Sequence, residues 1–132
     1  MSDAPARKQR LTRSADFERV YRQGRSAQHR LLVVYRFERP DDIRGDEGSD
    51  QACRIGITVS RKIGGAVERN RLKRQLREAI QANQALQDGF DYVLIARPGL
   101  REAVERDGFE WLQELVDELG GRLEANPSAK QR

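Results

Sequence analysis

The sequence predicts an α/β (α+β) two-layer sandwich, with helices over a small mixed sheet in the order α-β-β-α-β-α. Three observations predict it. Apolar residues alternate with a period of two in Leu31 to Phe37 and in Arg54 to Ser60, the mark of half-buried strands. Elsewhere they recur at i, i+3 and i+4, the mark of amphipathic helices. Finally, the strand ending at Ser60, the helix after it and the strand from Tyr92 to Arg97 are spaced for a parallel crossover through an arginine-rich helix.

Taken in order, Met1 to Arg13 is polar and basic (Arg7, Lys8, Arg10, Arg13) and reads as a flexible tail. Ser14 is a candidate N-cap, with Asp16 and Glu18 in the first turn and Gly24 as a stop. The helix between them puts Phe17, Val20 and Tyr21 on one side. Burial accounts for Val20. For Phe17 and Tyr21 the spacing leaves burial and base stacking both open, stacking contributing on the order of 1–3 kcal/mol per base. Leu31, Val33, Tyr35 and Phe37 then share one strand face, and Leu32, Val34 and Arg36 the other. Glu38 to Gln51 is an acidic, Gly-containing loop. Its order Asp-Asp-Ile-Arg-Gly-Asp-Glu-Gly-Ser-Asp lacks calcium-loop spacing, so it reads as solvated.

In the second strand Ile55, Ile57 and Val59 face one way, while Arg54, Gly56 and Thr58 face the other and leave a shallow trough. Ile63-Gly64-Gly65 turns into the basic helix, expected from about Val67 to Asn83. Neither GxGxxG nor Gly-Lys-Ser/Thr is present, so these glycines are not a nucleotide loop. Asp88-Gly89 turns the chain into the third strand, and Leu100 to Arg106 is ambiguous. Asp107 with Glu110 has the form of a capping box. It opens a last helix with Phe109, Leu112, Leu115, Val116 and Leu119 inward, Trp111 over a core edge, and Gly120-Gly121 as the stop. The expected organisation is a basic tail (1–13), one α/β domain (14–121, with the acidic loop at 38–51) and a frayed C-terminal tail (122–132).

Lys and Arg number 25 against 21 Asp and Glu, a formal net charge of +4. That modest value hides a separation. Acids gather in Glu38 to Asp50 and Glu102 to Glu124, cations in the N-terminal tail and in Ser60 to Arg77, and so polarised a field points to a polyanionic partner. The lone Cys53 excludes an internal disulfide and a thiolate metal cluster, and reads as a small buried residue. No apolar run approaches the roughly 20 residues of a membrane span. The N-terminus lacks the apolar core of a secretory signal, so the expected compartment is the cytoplasm. His29, the single histidine, has no Ser or Cys partner in view, which leaves nucleophilic catalysis without support. Nor do the acids converge as a metal-dependent nuclease requires. The expected catalytic and metal-binding residues are therefore none.

The dominant feature is the run from Ser60 to Arg77, with Arg61, Lys62, Arg69, Arg71, Lys73, Arg74 and Arg77 against the single acid Glu68. On a helical wheel Leu72, Leu76, Ala79, Ile80 and Asn83 fall on one side. Asn70, Lys73, Arg74 and Arg77 fan over the flank and the opposite side, with Arg71 at the far edge and Arg69 at the apolar border. A merely solvated helix alternates charge sign to gain i,i+4 pairs, and this one does not. A comb of fixed guanidinium groups suits a phosphate backbone, whose oxygens it pairs through two donors in one plane. Cations spread so far around a helix suit backbone contact better than base reading, which disfavours a DNA regulator. A ribosomal-protein-like or general RNA-binding module remains an alternative.

The run Ala66-Val67-Glu68-Arg69-Asn70-Arg71-Leu72-Lys73-Arg74, behind Gly56-Ile57-Thr58-Val59-Ser60-Arg61-Lys62-Ile63-Gly64, resembles the signature of the bacterial ribonuclease P protein subunit. The resemblance extends, less densely, from about Leu11 to about Leu119. It implies the same element order, a possible short extra strand and a left-handed crossover around the arginine helix. It also implies that the catalyst is an RNA, which uses magnesium ions to cleave precursor tRNA and release the mature 5′ end. The protein, without catalytic residue or cofactor of its own, would bind that RNA and the precursor's 5′ leader, with no membrane or small-molecule partner. Matched position by position, Arg61, Arg69, Asn70, Arg71, Lys73, Arg74 and Arg77 would lie along the catalytic RNA. Phe17, Tyr21, Val33, Tyr35, Thr58, Lys62 and Arg97 would form the leader cleft, with Tyr21 where a phenylalanine is common. The acidic loop is longer than expected for the family and should point away from RNA.

Overall fold

In the computed structural model, residues 9–39, 53–82 and 89–125 are described. They form β1 (Gln9–Arg10), α1 (Ser14–Gln23), β2 (Arg25–Gln28), β3 (Leu32–Glu38), β4 (Arg54–Val59), α2 (Ala66–Gln81), β5 (Phe90–Ala96), α3 (Leu100–Asp107) and α4 (Phe109–Ala125), with a 3-10 turn at Arg61–Ile63 before α2. The strands make one mixed sheet in the order β1-β4-β5-β3-β2. β5 lies at its centre, parallel to β4 and antiparallel to β3, so β4 and β5 are joined by a parallel crossover through α2, as the spacing predicts.

The predicted α-β-β-α-β-α series is present, with β1, β2 and α3 added to it. β1 is two residues long and owes its existence to pairing with β4, Gln9 to Arg54 and Arg10 to Ile55. β2 has no apolar alternation. It forms as the return arm of a hairpin with β3, closed by a reciprocal pair of backbone hydrogen bonds between His29 and Leu32. α3 resolves the ambiguous stretch, burying Leu100, Ala103 and Val104 on one side.

The sheet separates two apolar clusters. On one face Leu32 and Val34 of β3, Ile55, Ile57 and Val59 of β4 and Leu94 of β5 meet Leu72, Leu76 and Ile80 of α2 and Leu112, Val116 and Leu119 of α4. On the other, Leu11, Val20, Phe37 and Val93 pack with Phe17, Tyr35 and Ile95 under α1. The alternation read from β3 and β4 thus assigns their faces correctly from Leu32 onward; Leu31, expected beside Val33, precedes the strand and packs instead on the α2 and α4 side. β5 is covered on both sides and carries an unbroken apolar run, from which no face can be read.

Three boundaries differ from the sequence reading. Ser14 is the first residue of α1 and Arg13 its N-cap, whose carbonyl accepts from the N–H groups of Asp16 and Phe17. Asp107 does not cap the last helix. It ends α3, where its carboxylate pairs with Arg106 at 3.0 Å, and Gly108 (φ 97°) makes the break between α3 and α4. α4 runs through Gly120 and Gly121 to Ala125, so Leu123 is not in a frayed tail. Leu123 is 3% exposed, its carbonyl accepts from Arg36 at 3.0 Å, and Arg122 reaches the Gln28 carbonyl at 3.0 Å. These contacts outweigh the helix cost of two glycines, about 1 kcal/mol each. α2 is described to Ala82, so Asn83 lies outside the described residues, as do residues 1–8 of the basic tail, 40–51 of the acidic loop, Asp88, and 126–132.

A buried ionic network, absent from the sequence reading, fixes α1 against the sheet. Asp91 of β5, fully buried, accepts from Arg39 Nη1 at 2.6 Å and from Arg54 Nε and Nη2, both at 2.8 Å. Arg54 also reaches Asp16 of α1 at 3.6 Å, and Asp16 pairs with Arg19 at 2.8 Å. One carboxylate therefore joins the end of β3, the start of β4 and β5, and through Arg54 the helix above them.

Candidate nucleic-acid interface

Two surfaces stand out, and each follows from how a helix is set on the sheet. The first is the outer side of α2. Before it, the Ser60 hydroxyl accepts from the Lys62 N–H at 3.1 Å and shapes the 3-10 turn, and Gly65 is the N-cap. Burial of Leu72, Leu76, Ala79 and Ile80, none more than 2% exposed, fixes the rotation of α2. That rotation leaves Arg69, Lys73 and Arg77 half-buried along one border and Asn70, Arg71 and Arg74 exposed, as the wheel predicts. Arg61 and Lys62 are exposed at the N-terminal end.

None of these cations pairs with a carboxylate among the described residues. Elsewhere several cations do: Arg19, Arg39, Arg54, Arg101, Arg106 and Arg122 hold acids. Arg69 keeps a buried Nε–H without an acceptor. Burial, and then the charge of Arg10, hold the Arg77 guanidinium below its ordinary value. Register explains the second cause: Arg10 pairs with Ile55, which points into the α2 side of the sheet. Arg10, its backbone held by β1, therefore extends the cationic border. Reading 1–13 as a tail missed this, because a two-residue strand leaves no periodic signal.

The second surface is the α1 side of the sheet. Register places Gly56, Val93 and Tyr35 in one row across β4, β5 and β3, and Thr58, Ile95 and Val33 in the next. α1 lies along the first row. The trough over Gly56 is filled by the Phe17 ring, so close that a Cβ on Gly56 would stand 2.4 Å from Phe17 Cζ. Tyr21 meets Tyr35 edge-on, centroids 5.2 Å apart at 72°, and Phe17 lies 6.4 Å from Tyr21. Tyr21 is 38% exposed, Phe17 and Tyr35 are half-buried, and Thr58 and Lys62 are exposed. Arg97 follows β5 as Lys62 follows β4, so both stand at the same end of this parallel pair. Its Nη1 donates to the His29 carbonyl at 3.2 Å. Val33 is 3% exposed, so it backs the surface and offers no contact area to a ligand. Ile95, half-buried between Thr58 and Val33, was missed for want of alternation in β5.

The fit of Phe17 on Gly56 gives a direct expectation. Gly56→Val should displace the ring and lower stability by about 1–3 kcal/mol, the usual cost of overpacking. Solvent accessibility of the Phe17–Tyr21–Tyr35 cluster, followed by aromatic NMR shifts, should rise with it; unchanged shifts would mean that the ring does not rest there.

His29 serves the β2–β3 turn, its Nδ1 accepting from the Leu31 N–H at 3.1 Å, and Cys53 is buried. Among the described residues no three His, Cys, Asp or Glu side chains are grouped to hold a metal ion, and no helix is long and apolar enough to cross a membrane.

Fold and surfaces together define a basic α+β sheet protein with a cationic helix that lacks carboxylate partners among the described residues, and an aromatic patch on one side of its sheet. The ribonuclease P family model matches residues 6–120. The chain is 40% identical over 112 residues to the ribonuclease P protein component of Clostridium acetobutylicum, covering 84% of this chain and 88% of that one. Against that of Bacillus velezensis it is 36% identical over 91 residues, covering 69% and 72%. Among solved structures it is similar to the RNase P protein of Thermotoga maritima, with TM-score 0.69, 34% identity, and 86% and 96% of the two chains covered. The Staphylococcus aureus RNase P protein gives TM-score 0.65, 30% identity and coverage of 83% and 90%. The chain belongs to the ribonuclease P protein component family.

Proposed function

We propose that the protein is the RNA-binding subunit of a ribonuclease P ribonucleoprotein. It docks on the catalytic RNA through Arg61, Arg69, Asn70, Arg71, Lys73, Arg74 and Arg77. It holds the 5′ leader of precursor tRNA on the α1 side of the sheet, with Phe17, Tyr21, Tyr35, Thr58, Lys62 and Arg97 in contact and Val33 behind them. The observation that carries this reading is the α2 ridge, where cations gather without carboxylate partners among the described residues, while Arg19, Arg39, Arg54 and Arg122 hold acids. Gathered charge of one sign costs folding energy through repulsion, which a polyanion relieves.

In this reading the RNA breaks the phosphodiester bond, with magnesium ions that the RNA holds, and the protein supplies binding energy and charge. Fixed cations where several phosphate backbones converge lessen the repulsion that magnesium would otherwise screen, so the reaction proceeds at a lower magnesium concentration. The protein binds no cofactor itself. The leader surface adds affinity that only the precursor can use, because mature tRNA has nothing to place there. Aromatic rings accept any base face, which favours a single strand without strong sequence demand.

Tyr35→Ala tests the leader assignment. It removes the ring against which Tyr21 packs and should weaken precursor tRNA binding by roughly 1–3 kcal/mol, the worth of one stacked base. Mature tRNA should bind as before. Equal losses for the two RNAs would remove the leader from this surface.

A further inference from the structure

We propose that Arg10 and Arg77 together hold one phosphate of the catalytic RNA, and that β1 carries this contact through the sheet to α1. Docking of the catalytic RNA then strengthens the hold on the leader. The proposal rests on the readings of the α2 ridge and the leader surface given above.

Register sets the two ends of the link. Arg10 pairs with Ile55, whose side chain faces α2, so Arg10 stands on the α2 side of the sheet. Leu11 comes next and turns to the other side, where it is 5% exposed and packs with Val20, Phe37 and Val93 under α1. Its N–H donates to the Ile55 carbonyl at 2.8 Å, which ties it to β4. Shortly after it, the Arg13 carbonyl accepts from the Asp16 and Phe17 N–H groups and starts α1. Residues 10–13 therefore run from the cationic border to the helix that bears Phe17 and Tyr21.

Charge makes β1 responsive. Arg10 is exposed and Arg77 half-buried, and neither pairs with a carboxylate among the described residues. The Arg77 guanidinium is held below its ordinary value by burial first and by the charge of Arg10 second, so setting β1 in place brings like charges together. That repulsion opposes a strand of two residues, joined to β4 through the pairs Gln9 with Arg54 and Arg10 with Ile55. So short an edge pairing belongs to the low-stability end of a structure. A phosphate between the two guanidinium groups reverses the sign, because both donate to it. RNA thus binds the protein with β1 in place more tightly than with β1 released, and shifts the population toward the first. Leu11 is then held beneath Val20, which fixes α1 over Gly56 and Tyr35. Linkage is reciprocal, so a bound leader also tightens the catalytic RNA.

Wild-type protein and Arg10→Gln are compared, free and in holoenzyme assembled at protein concentrations that saturate the catalytic RNA. Hydrogen exchange of the segment spanning Leu11, followed by mass spectrometry, reads β1. Binding of precursor and mature tRNA to the holoenzyme reads the leader surface. In the wild type, exchange at Leu11 should slow roughly fivefold when the catalytic RNA is added, the low end of ordinary coupling. In Arg10→Gln that slowing should be lost. Selectivity for precursor over mature tRNA should also fall roughly fivefold, although residue 10 lies on the sheet face opposite the leader surface. Arg10 is exposed, so the substitution leaves the core intact, as circular dichroism would verify. Leu11 exchange that the RNA leaves unchanged in the wild type, or equal selectivity in the two proteins, overturns the coupling. If Arg69→Ala with Arg74→Ala still weakens catalytic RNA binding and Tyr35→Ala still lowers selectivity in that case, the failure is confined to β1. If neither does, the readings of the ridge and the leader surface fall with it.

Discussion

Asp91→Ala should lower the unfolding free energy by about 3–5 kcal/mol, the cost of leaving buried charges without their counter-ion. Asp91 is fully buried and Arg39 2% exposed, so the guanidinium that loses the carboxylate is not returned to bulk water. Arg54 loses two short hydrogen bonds at once, while its contact with Asp16 is longer, at 3.6 Å. Small domains hold roughly 5–15 kcal/mol in all, so the variant should be marginal. Urea unfolding should show a lower midpoint with an unchanged slope, since the surface exposed on unfolding is the same. The effect should reach function too, because Arg54 joins this network to Asp16 and so to the helix carrying Phe17 and Tyr21. A loss below about 1 kcal/mol would show that the network contributes little beyond what solvated charges would.

Arg69→Ala combined with Arg74→Ala should do the opposite: little to stability, much to RNA binding. Neither residue holds a carboxylate among the described residues, so removing both charges relieves repulsion on α2 and breaks no ion pair. If each neutralises one phosphate, the logarithmic dependence of affinity on salt should flatten by about two. Affinity for the catalytic RNA should fall at every salt concentration tested. An unchanged salt slope with intact folding would take these arginines off the RNA. The pair samples both the half-buried border and the exposed crest of α2, so its loss reports on the ridge as a whole.

The features legible in the sequence are those with a local period. The stripe Leu72, Leu76, Ala79, Ile80 set the orientation of α2, and with it which cations face outward. Alternation in β3 and β4 placed Tyr35 and Thr58 on the sheet face opposite Leu32 and Ile57. What escaped depends on partners distant in the chain. β1 and β2 exist through pairing with β4 and β3, so Arg10 could not be placed. Asp91 went unnoticed, because Arg39 and Arg54 lie 52 and 37 positions away. The glycines at 120 and 121 signalled a stop that packing around Leu123 overrides. Ile95 was hidden by the very burial that makes β5 the centre of the sheet. The leader residues came from the family resemblance, position by position, which is why Val33 was carried over although too buried to touch a ligand.

The central claim is that this chain contributes binding surface and charge while an RNA performs the cleavage. The most direct measurement is cleavage of precursor tRNA at low magnesium by the cognate catalytic RNA alone, by the protein alone after rigorous removal of RNA, and by the two together. The account predicts 5′ maturation only when both are present. Cleavage by the RNA-free protein, or by the RNA equally well without it, would contradict the account.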